Sequence, residues 1–398
     1  MVTGMVTPPA EDVVAPVADI LRKDAPECDR LGQLTPVTED AVRSTGVVKM
    51  LQPKDLGGTE DHPTLFMATV VEIASHSPAA GWVAGVVGVH PHEVALGDRR
   101  MQEEIWGSDG DGPETWIASP YAPMGRARPV EGGYLLNGRW PFSSGTDLCQ
   151  WVTIGGFLTE DDGQTVTDRR PRHFVLPRAD YEIVPDSWQV VGLKGTGSKD
   201  LVVRDAFVPS YRVIDTEEIT EGTAGAATGR ENPLYAMPRN VMFAGAVTAA
   251  TIGICKGVLD AFIELVRVRD GRYGKASLDP YQLAALGECA ADIDASIRHF
   301  LGDIDRVHDL VADREPTPLS LRAEVRRNQV RASNLSVAAA DKLFRIAGGV
   351  SLREDLPLER IWRDSQAAVH HVQNVQDPIM QAYGLDFFGH PVPPAVKF

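Results

Sequence analysis

Four short stretches of this 398-residue chain hold side chains that could do chemistry: GVHPHEV (88–94), WPFSSGTD (140–147), GLKGTGSKD (192–200) and RIWRDSQAAVHHVQ (360–373). The last is read as part of one long amphipathic helix that Asp355 and Pro357 start. Helical neighbours point about 100° apart, so His370 and His371 cannot share a role. His370 falls on the polar stripe of Arg363, Gln366 and Asn374 and is expected to be solvated. His371 shares its face with Ala367, Ala368 and Val375, whose small side chains leave a hollow where an organic molecule could sit. A buried histidine beside such a hollow is an acid–base candidate near neutral pH. His90 recurs with Trp82 and Val86 on an apolar helical face, just before Pro91, which is expected to end that helix. By pattern alone His90 reads as a satisfied core histidine. His90 and His92 lack further ligands at suitable spacing, so no metal site is expected.

The two remaining stretches are ambiguous taken singly. WPFSSGTD places two hydroxyls and a glycine after an aromatic strand, which a plain Ser-Gly turn would also explain. In GLKGTGSKD, Ser198 separates the last glycine from the lysine, so the phosphate-loop pattern fails. LVVRDAFV follows it and reads as a strand, so the dinucleotide fingerprint fails too. A β-turn remains, or a loop whose backbone N–H groups wall an anion or cofactor site.

The elements that must position these stretches change texture twice. Residues 1–114 read as a helical domain, with Thr35 as N-cap ahead of Pro36 and two apolar helices in HPTLFMATVVEIASHS and PAAGWVAGVVGVH. Residues 115–215 read as a β domain of short Val-, Ile-, Tyr- and Trp-rich runs, with a hairpin turn at EGG (131–133). Residues 216–233 are polar and small, as in a mobile linker or lid. Residues 234–398 hold four long apolar-striped segments, expected to form an antiparallel four-helix bundle packed closely through Gly245, Ala246, Ala249, Ala250 and Gly253.

Bulk properties narrow the partners. A net charge of −16 argues against nucleic acid or an anionic membrane surface, yet leaves room for local binding of a phosphate-bearing cofactor. Apolar residues at 43% and charged residues at 24% suit a soluble globular protein. Four scattered cysteines, the lack of a leader-like N-terminus and the lack of a long unbroken apolar run point to a reducing cytoplasm.

Helices, then a β domain, then a four-helix bundle resembles the acyl-CoA dehydrogenase fold, an α+β architecture with a central β-barrel or sandwich. AGGVSLREDLPLERIWRDSQAAVHH is similar to that superfamily's last long helix. FSSGTDLCQW, VVGLKGTGSKDLVVRDAFVP and RIWRDSQAAVHH together resemble the flavin-dependent monooxygenases on this fold, over roughly residues 35 to 390. These are oxygenase components of two-component systems that hydroxylate phenols, steroid-derived catechol precursors or aromatic polyketides. The resemblance implies reduced FMN or FAD as cofactor, O2 as co-substrate, a C4a-hydroperoxyflavin as oxygen donor, a separate flavin reductase and a homotetramer. It implies that Trp140, Phe142, Ser143, Ser144 and Gly145 lie at the flavin ring, with Ser143 near N5 and the C4 oxygen. Gly195, Thr196, Gly197 and Ser198 would hold the ribityl-phosphate side, and Arg267 or Arg269 would reach a flavin phosphate across a subunit interface. His90 matches a histidine near the substrate, and His371 one that deprotonates or orients the substrate hydroxyl.

One departure separates two branches of the fold. Acyl-CoA dehydrogenases remove a proton with a carboxylate, presented in one version as Tyr-Glu-Gly-Thr, whereas here the stretch reads His371-Val372-Gln373-Asn374. An aromatic hydroxylase is therefore expected, with nitrogen or sulfur oxygenation, or a dehydrogenase, as alternatives.

Overall fold

Local capping fixes where the first helices begin. The computed structural model describes residues 10–271, 274–393, 396 and 398. Helices α1 (Ala10–Val14), α2 (Ala18–Leu31) and α3 (Pro36–Ser44) open it, and Thr35 Oγ1 accepts from Thr38 N at 3.1 Å to cap α3 as its sequence predicts. Helices α4 (Pro63–His76), α5 (Pro78–Val94) and α6 (Arg99–Trp106) follow. Pro91 does not end α5, which continues one further turn to Val94. All seventeen of its residues are buried, so packing on every side holds the turn that proline's missing N–H weakens.

The β region pairs into one mixed sheet. Its strands are β1 (Ile117–Ala118), β2 (Gly125–Val130), β3 (Gly133–Ser143), β4 (Trp151–Leu158), β5 (Arg172–Pro177), β6 (Glu182–Ile183), β7 (Lys199–Pro209) and β8 (Val213–Asp215). The order is β6-β7-β3-β2-β4-β5-β8, with β1 beside β4, and the sheet curls so that β5 returns close to β7. The β2–β3 hairpin turns where expected, with Gly132 at φ 78°. Pairing of β3 with β7 slips between Trp140 and Ser143, and in that bulge Phe142 takes φ 66°. A bulge re-aims the residues beside it.

Residues 216–233 are not an open linker: Thr216–Glu221 and Ala224–Ala227 form the short helices α7 and α8, the first capped by Asp215 accepting from Glu217 N. After them run α9 (Arg239–Val268), α10 (Pro280–Ala312) and α11 (Leu319–Ala347), packed against one another, with α9 also against α4 and α5. Among the described residues α9 is the one helix long and apolar enough to cross a membrane, and 94% of its apolar window is buried inside this fold.

The fourth bundle segment is not one helix. It divides into α12 (Pro357–Ala368), a 3-10 turn at Val372–Asn374 and α13 (Gln376–Phe387). Side chains from elsewhere satisfy the interrupted backbone. Asn374 Nδ2 donates to the Ala368 carbonyl and to Thr251 Oγ1 of α9, both at 2.9 Å. From α11, Asn334 Nδ2 donates to the Asn374 carbonyl at 3.0 Å and Arg326 Nη2 to the Gln373 carbonyl at 2.9 Å. His371 thus caps a turn instead of lying mid-helix.

Candidate active site

The serine stretch and the glycine loop meet at the end of β3. Gly145 N donates to the Thr196 carbonyl at 2.8 Å. The hydroxyls of Ser144, Ser198 and Thr196 form a chain with 2.7 Å links, and Thr196 Oγ1 also contacts the Leu193 carbonyl at 2.7 Å. Gly145 and Gly197 take φ values of 67° and 54°, which side-chain-bearing residues adopt rarely. Ser143 differs: its Oγ is buried and has no hydrogen-bond partner among the described residues. Beside it Phe142 is 65% exposed, edge-on to Trp188 with ring centroids 6.0 Å apart, while Trp140 is buried and donates to the Gly155 carbonyl at 2.7 Å.

Trp82 of α5 joins this wall to His371. Its Nε1 donates to Ser144 Oγ at 3.2 Å, and its ring meets the His371 ring edge-on at 5.5 Å. Phe243 of α9 also lies edge-on to the His371 ring, 6.3 Å away. Gln373 N donates to His371 Nδ1 at 3.2 Å. Burial and the nearby Arg326 cation lower the His371 pKa to about 4, so the ring is neutral at physiological pH. His370 is exposed, as its polar stripe predicts, with Nδ1 2.7 Å from the Gln366 carbonyl.

Phe243 continues the aromatic series to Tyr121 at 4.9 Å, and Tyr121 meets His90 at 5.4 Å and stacks on His173 at 4.5 Å. His90 is buried, with Nδ1 2.7 Å from the Ile117 carbonyl and Nε2 2.5 Å from Ser119 Oγ. A carbonyl can only accept, so Nδ1 carries the proton and Nε2 accepts from Ser119. Burial lowers the His90 pKa to about 4. His92 points elsewhere, to the Leu234 carbonyl at 3.1 Å, and among the described residues no metal-binding cluster forms.

Behind Tyr121, buried Glu93 contacts His173 Nδ1 and accepts from Arg239 Nε at 2.7 Å, and the Arg239 guanidinium lies 4.3 Å over the Tyr121 ring. Burial opposes ionisation of Glu93, but His173 and Arg239 outweigh it and hold the carboxyl well below the ordinary range. Burial also lowers the His173 pKa, against the opposing pull of Glu93.

The Arg-Asp pair of the last stretch fastens the glycine loop. Asp364 Oδ1 accepts from Leu193 N at 2.6 Å, and Arg363 donates to the Val191 carbonyl at 2.6 Å and to Asp29 of α2 at 3.3 Å. A Cβ on Gly192 would lie 2.4 Å from the Arg363 carbonyl, so only glycine lets the loop lie on α12. Arg267 and Arg269 are not brought into this cluster. They lie more than twenty residues beyond Phe243, on the order of 36 Å along the axis of α9. Arg267 pairs with Glu264 at 2.7 Å, and Arg269 donates to the Ala347 carbonyl at 2.6 Å.

Of the residues assembled here, the sequence reading did not single out Tyr121, Phe243, Glu93, Arg239, His173, Ser119 or Arg326. Trp82 was visible only as a neighbour of His90 on a helical stripe. Their roles arise from contacts distant in sequence, and the aromatic pattern that flags a core residue flags a pocket wall equally.

Residues 246–376 match the family model described as acyl-CoA dehydrogenase, C-terminal domain. The chain is 45% identical over 374 residues to a pigment production hydroxylase of Rhodococcus erythropolis, covering 94% of each protein. It is 38% identical to the flavin-dependent monooxygenase oxygenase subunit HsaA of Mycobacterium tuberculosis, covering 96% of each. The chain belongs to the flavin-dependent monooxygenases of the acyl-CoA dehydrogenase fold. The solved 3-HSA hydroxylase from Rhodococcus sp. RHA1 superposes with a TM-score of 0.90 at 35% identity, covering 97% of this chain and 98% of that one. XiaF from Streptomyces sp., solved with FADH2, superposes with a TM-score of 0.89 at 25% identity, covering 97% of each chain.

The residues present suit the flavin of such a monooxygenase. A buried hydroxyl without a partner costs about 1–3 kcal/mol, which a ligand polar atom would recover at Ser143. The exposed ring of Phe142 and the half-buried ring of Trp188 beside it offer an apolar edge to a planar heterocycle.

Proposed function

We propose that this monooxygenase hydroxylates a phenol-like aromatic small molecule, using reduced FMN or FAD delivered by a separate reductase. The observation that carries the reading is the placement of neutral His371 against the rings of both Trp82 and Phe243, with Trp82 hydrogen-bonded into the serine wall. When bound, reduced flavin supplies an electrophilic oxygen atom from O2. Ser143 would hold the ring system through its unpartnered Oγ, and the 195–198 loop, kept in shape by the Ser144–Ser198–Thr196 chain, would border the cofactor. Trp82 and Phe243 would sandwich or border the aromatic substrate and exclude water from the oxygen-transfer step. His371 would bind the substrate's ring oxygen, and His90 would act through Ser119, because both of its own nitrogens are engaged. Relatives named for resorcinol and p-hydroxyphenylacetate hydroxylation, at 29% and 28% identity, support a hydroxylated ring as substrate. Glu93 is committed to Arg239 and His173, which disfavours proton abstraction by a carboxylate here. A tetrameric assembly, with Arg267 or Arg269 reaching a neighbour's flavin, belongs to the same proposal.

Rapid mixing of the protein and reduced flavin with oxygenated buffer tests it. The expected result is a transient near-ultraviolet species that phenols remove faster, with hydroxylated product formed in step. Release of every equivalent as H2O2, whatever phenol is offered, would overturn the reading.

A further inference from the structure

Arg326 of α11 is 2% exposed, yet none of its hydrogen-bond partners is charged. Nη1 donates to Gln329 Oε1 at 2.8 Å, and Nη2 donates to the carbonyl of Gln373 at 2.9 Å and to its side-chain Oε1 at 3.2 Å. Gln329 spends its amide on the Val241 carbonyl at 3.0 Å, so it is held in place and cannot supply a counter-charge. Among the described residues no carboxylate lies within ion-pair reach of this guanidinium. Burial lowers its pKa only to about 10, so the cation persists. A buried charge without a counter-charge is expensive, and it persists where something else in the working molecule supplies the opposite sign.

Two residues before Gln373 stands His371. Gln373 N can only donate, so His371 Nδ1, 3.2 Å away, is the bare nitrogen and the proton of the neutral ring sits on Nε2. Protonating Nδ1 would oppose two N–H groups and add a second positive charge near Arg326. The elements packed around His371 offer nothing to offset it: α5 presents Trp82 and α9 presents Phe243, neither ionisable, while α11 presents Arg326 itself. Nε2 has no protein partner among the described residues.

We propose that Arg326 is a positioning residue that fixes His371 as an Nε2–H donor, and that the two receive an aromatic substrate as its phenolate, so that His371 does not act as the base. The second half rests on the phenol reading above; the first does not. The phenol proton leaves to solvent on binding, the phenolate oxygen accepts from Nε2–H, and the guanidinium, hydrogen-bonded to Gln373 two residues along the chain, supplies the opposite charge. An electron-rich ring is then presented for oxygen transfer without any change in the protonation of His371.

Imidazole nitrogen NMR on flavin-free protein labelled at histidine, with His371→Asn identifying the resonance, tests the first half. In the wild type the ring should be neutral with its proton on Nε2 at pH 6. In Arg326→Gln its pKa should rise by at least tenfold in proton affinity, and Arg326→Lys should restore the low value. A proton on Nδ1 in the wild type overturns the proposal without any variant, and so does identical titration in folded Arg326→Gln. The second half is read with 4-nitrophenol, whose absorbance reports its ionisation. Bound to wild type it should ionise at a proton concentration at least tenfold higher than when free, and Arg326→Gln should abolish that shift. A probe bound in its protonated form overturns the phenolate claim while leaving the phenol reading intact. Failure of all phenols to bind overturns both of those and leaves the His371 tautomer standing.

Discussion

Ser143 shows how a single residue can carry opposite free-energy signs in two states. Its buried hydroxyl without a partner destabilises the flavin-free protein and, on the function proposed above, would gain a polar atom of the flavin as partner. Ser143→Ala should therefore raise the melting temperature of the flavin-free protein slightly while weakening reduced-flavin binding about 2- to 10-fold, as one net hydrogen bond of about 0.5–1.5 kcal/mol implies. Calorimetry with and without flavin reads both signs, and loss of stability in the free protein would contradict the assignment. Neighbouring Phe142 adds a second local stress, since an aromatic residue at φ 66° is an outlier that only surrounding structure maintains. Ser144 of the same stretch and Thr196 and Ser198 of the glycine loop also carry hydroxyls, yet these are spent on one another. Residue type alone could not distinguish the free hydroxyl from the committed ones.

Helix α12 works as a clasp on the glycine loop. Asp364 is buried, and burial raises its pKa to about 7, against the pull of Arg360 and the Leu193 N–H. Asparagine keeps an oxygen for Leu193 N, so Asp364→Asn should cost under about 1 kcal/mol, whereas Asp364→Ala leaves that N–H unsatisfied and should cost about 1–3 kcal/mol. Denaturant titration separates them, and equal losses would mean that charge, not the hydrogen bond, holds the loop. Much at this scale was legible in the sequence: the cap at Thr35, the hairpin at 131–133, the strand after the glycine loop and the long apolar α9 all follow from local rules. The failures share a cause. Pro91 stays helical because packing surrounds it, the segment after Ala368 breaks because Asn334, Arg326 and Thr251 reach in, and the stretch from 216 folds where α7 meets α9 and Thr216 bonds the Pro171 carbonyl. Each depends on partners far away in the chain, which periodicity cannot see.

For the molecule as a whole, buried and half-buried histidines set the response to acid. His90, His92 and His371 have pKa values lowered to about 4, chiefly by burial, while the unfolded chain takes up a proton near 6.5 on each. Between those values the unfolded state binds more protons, so stability declines as pH falls, by up to about 1.4 kcal/mol per unit for each histidine. Asp364 acts in the opposite sense, because its raised pKa lets the native form take up a proton first, and one group offsets part of what three lose. The unfolding midpoint in urea should fall between pH 7 and pH 5, by on the order of 3 kcal/mol in stability. An equal or higher midpoint at pH 5 would show that these rings are hydrated or already charged in the native state.

The bond between Leu193 and Asp364 spans 171 positions. A growing polypeptide therefore makes its glycine loop long before the clasp emerges, and at about 5–20 residues per second the interval is roughly ten to thirty-five seconds. Through that interval the loop lacks the carboxylate that accepts from Leu193 N, and a product cut short upstream of α12 would lack it permanently.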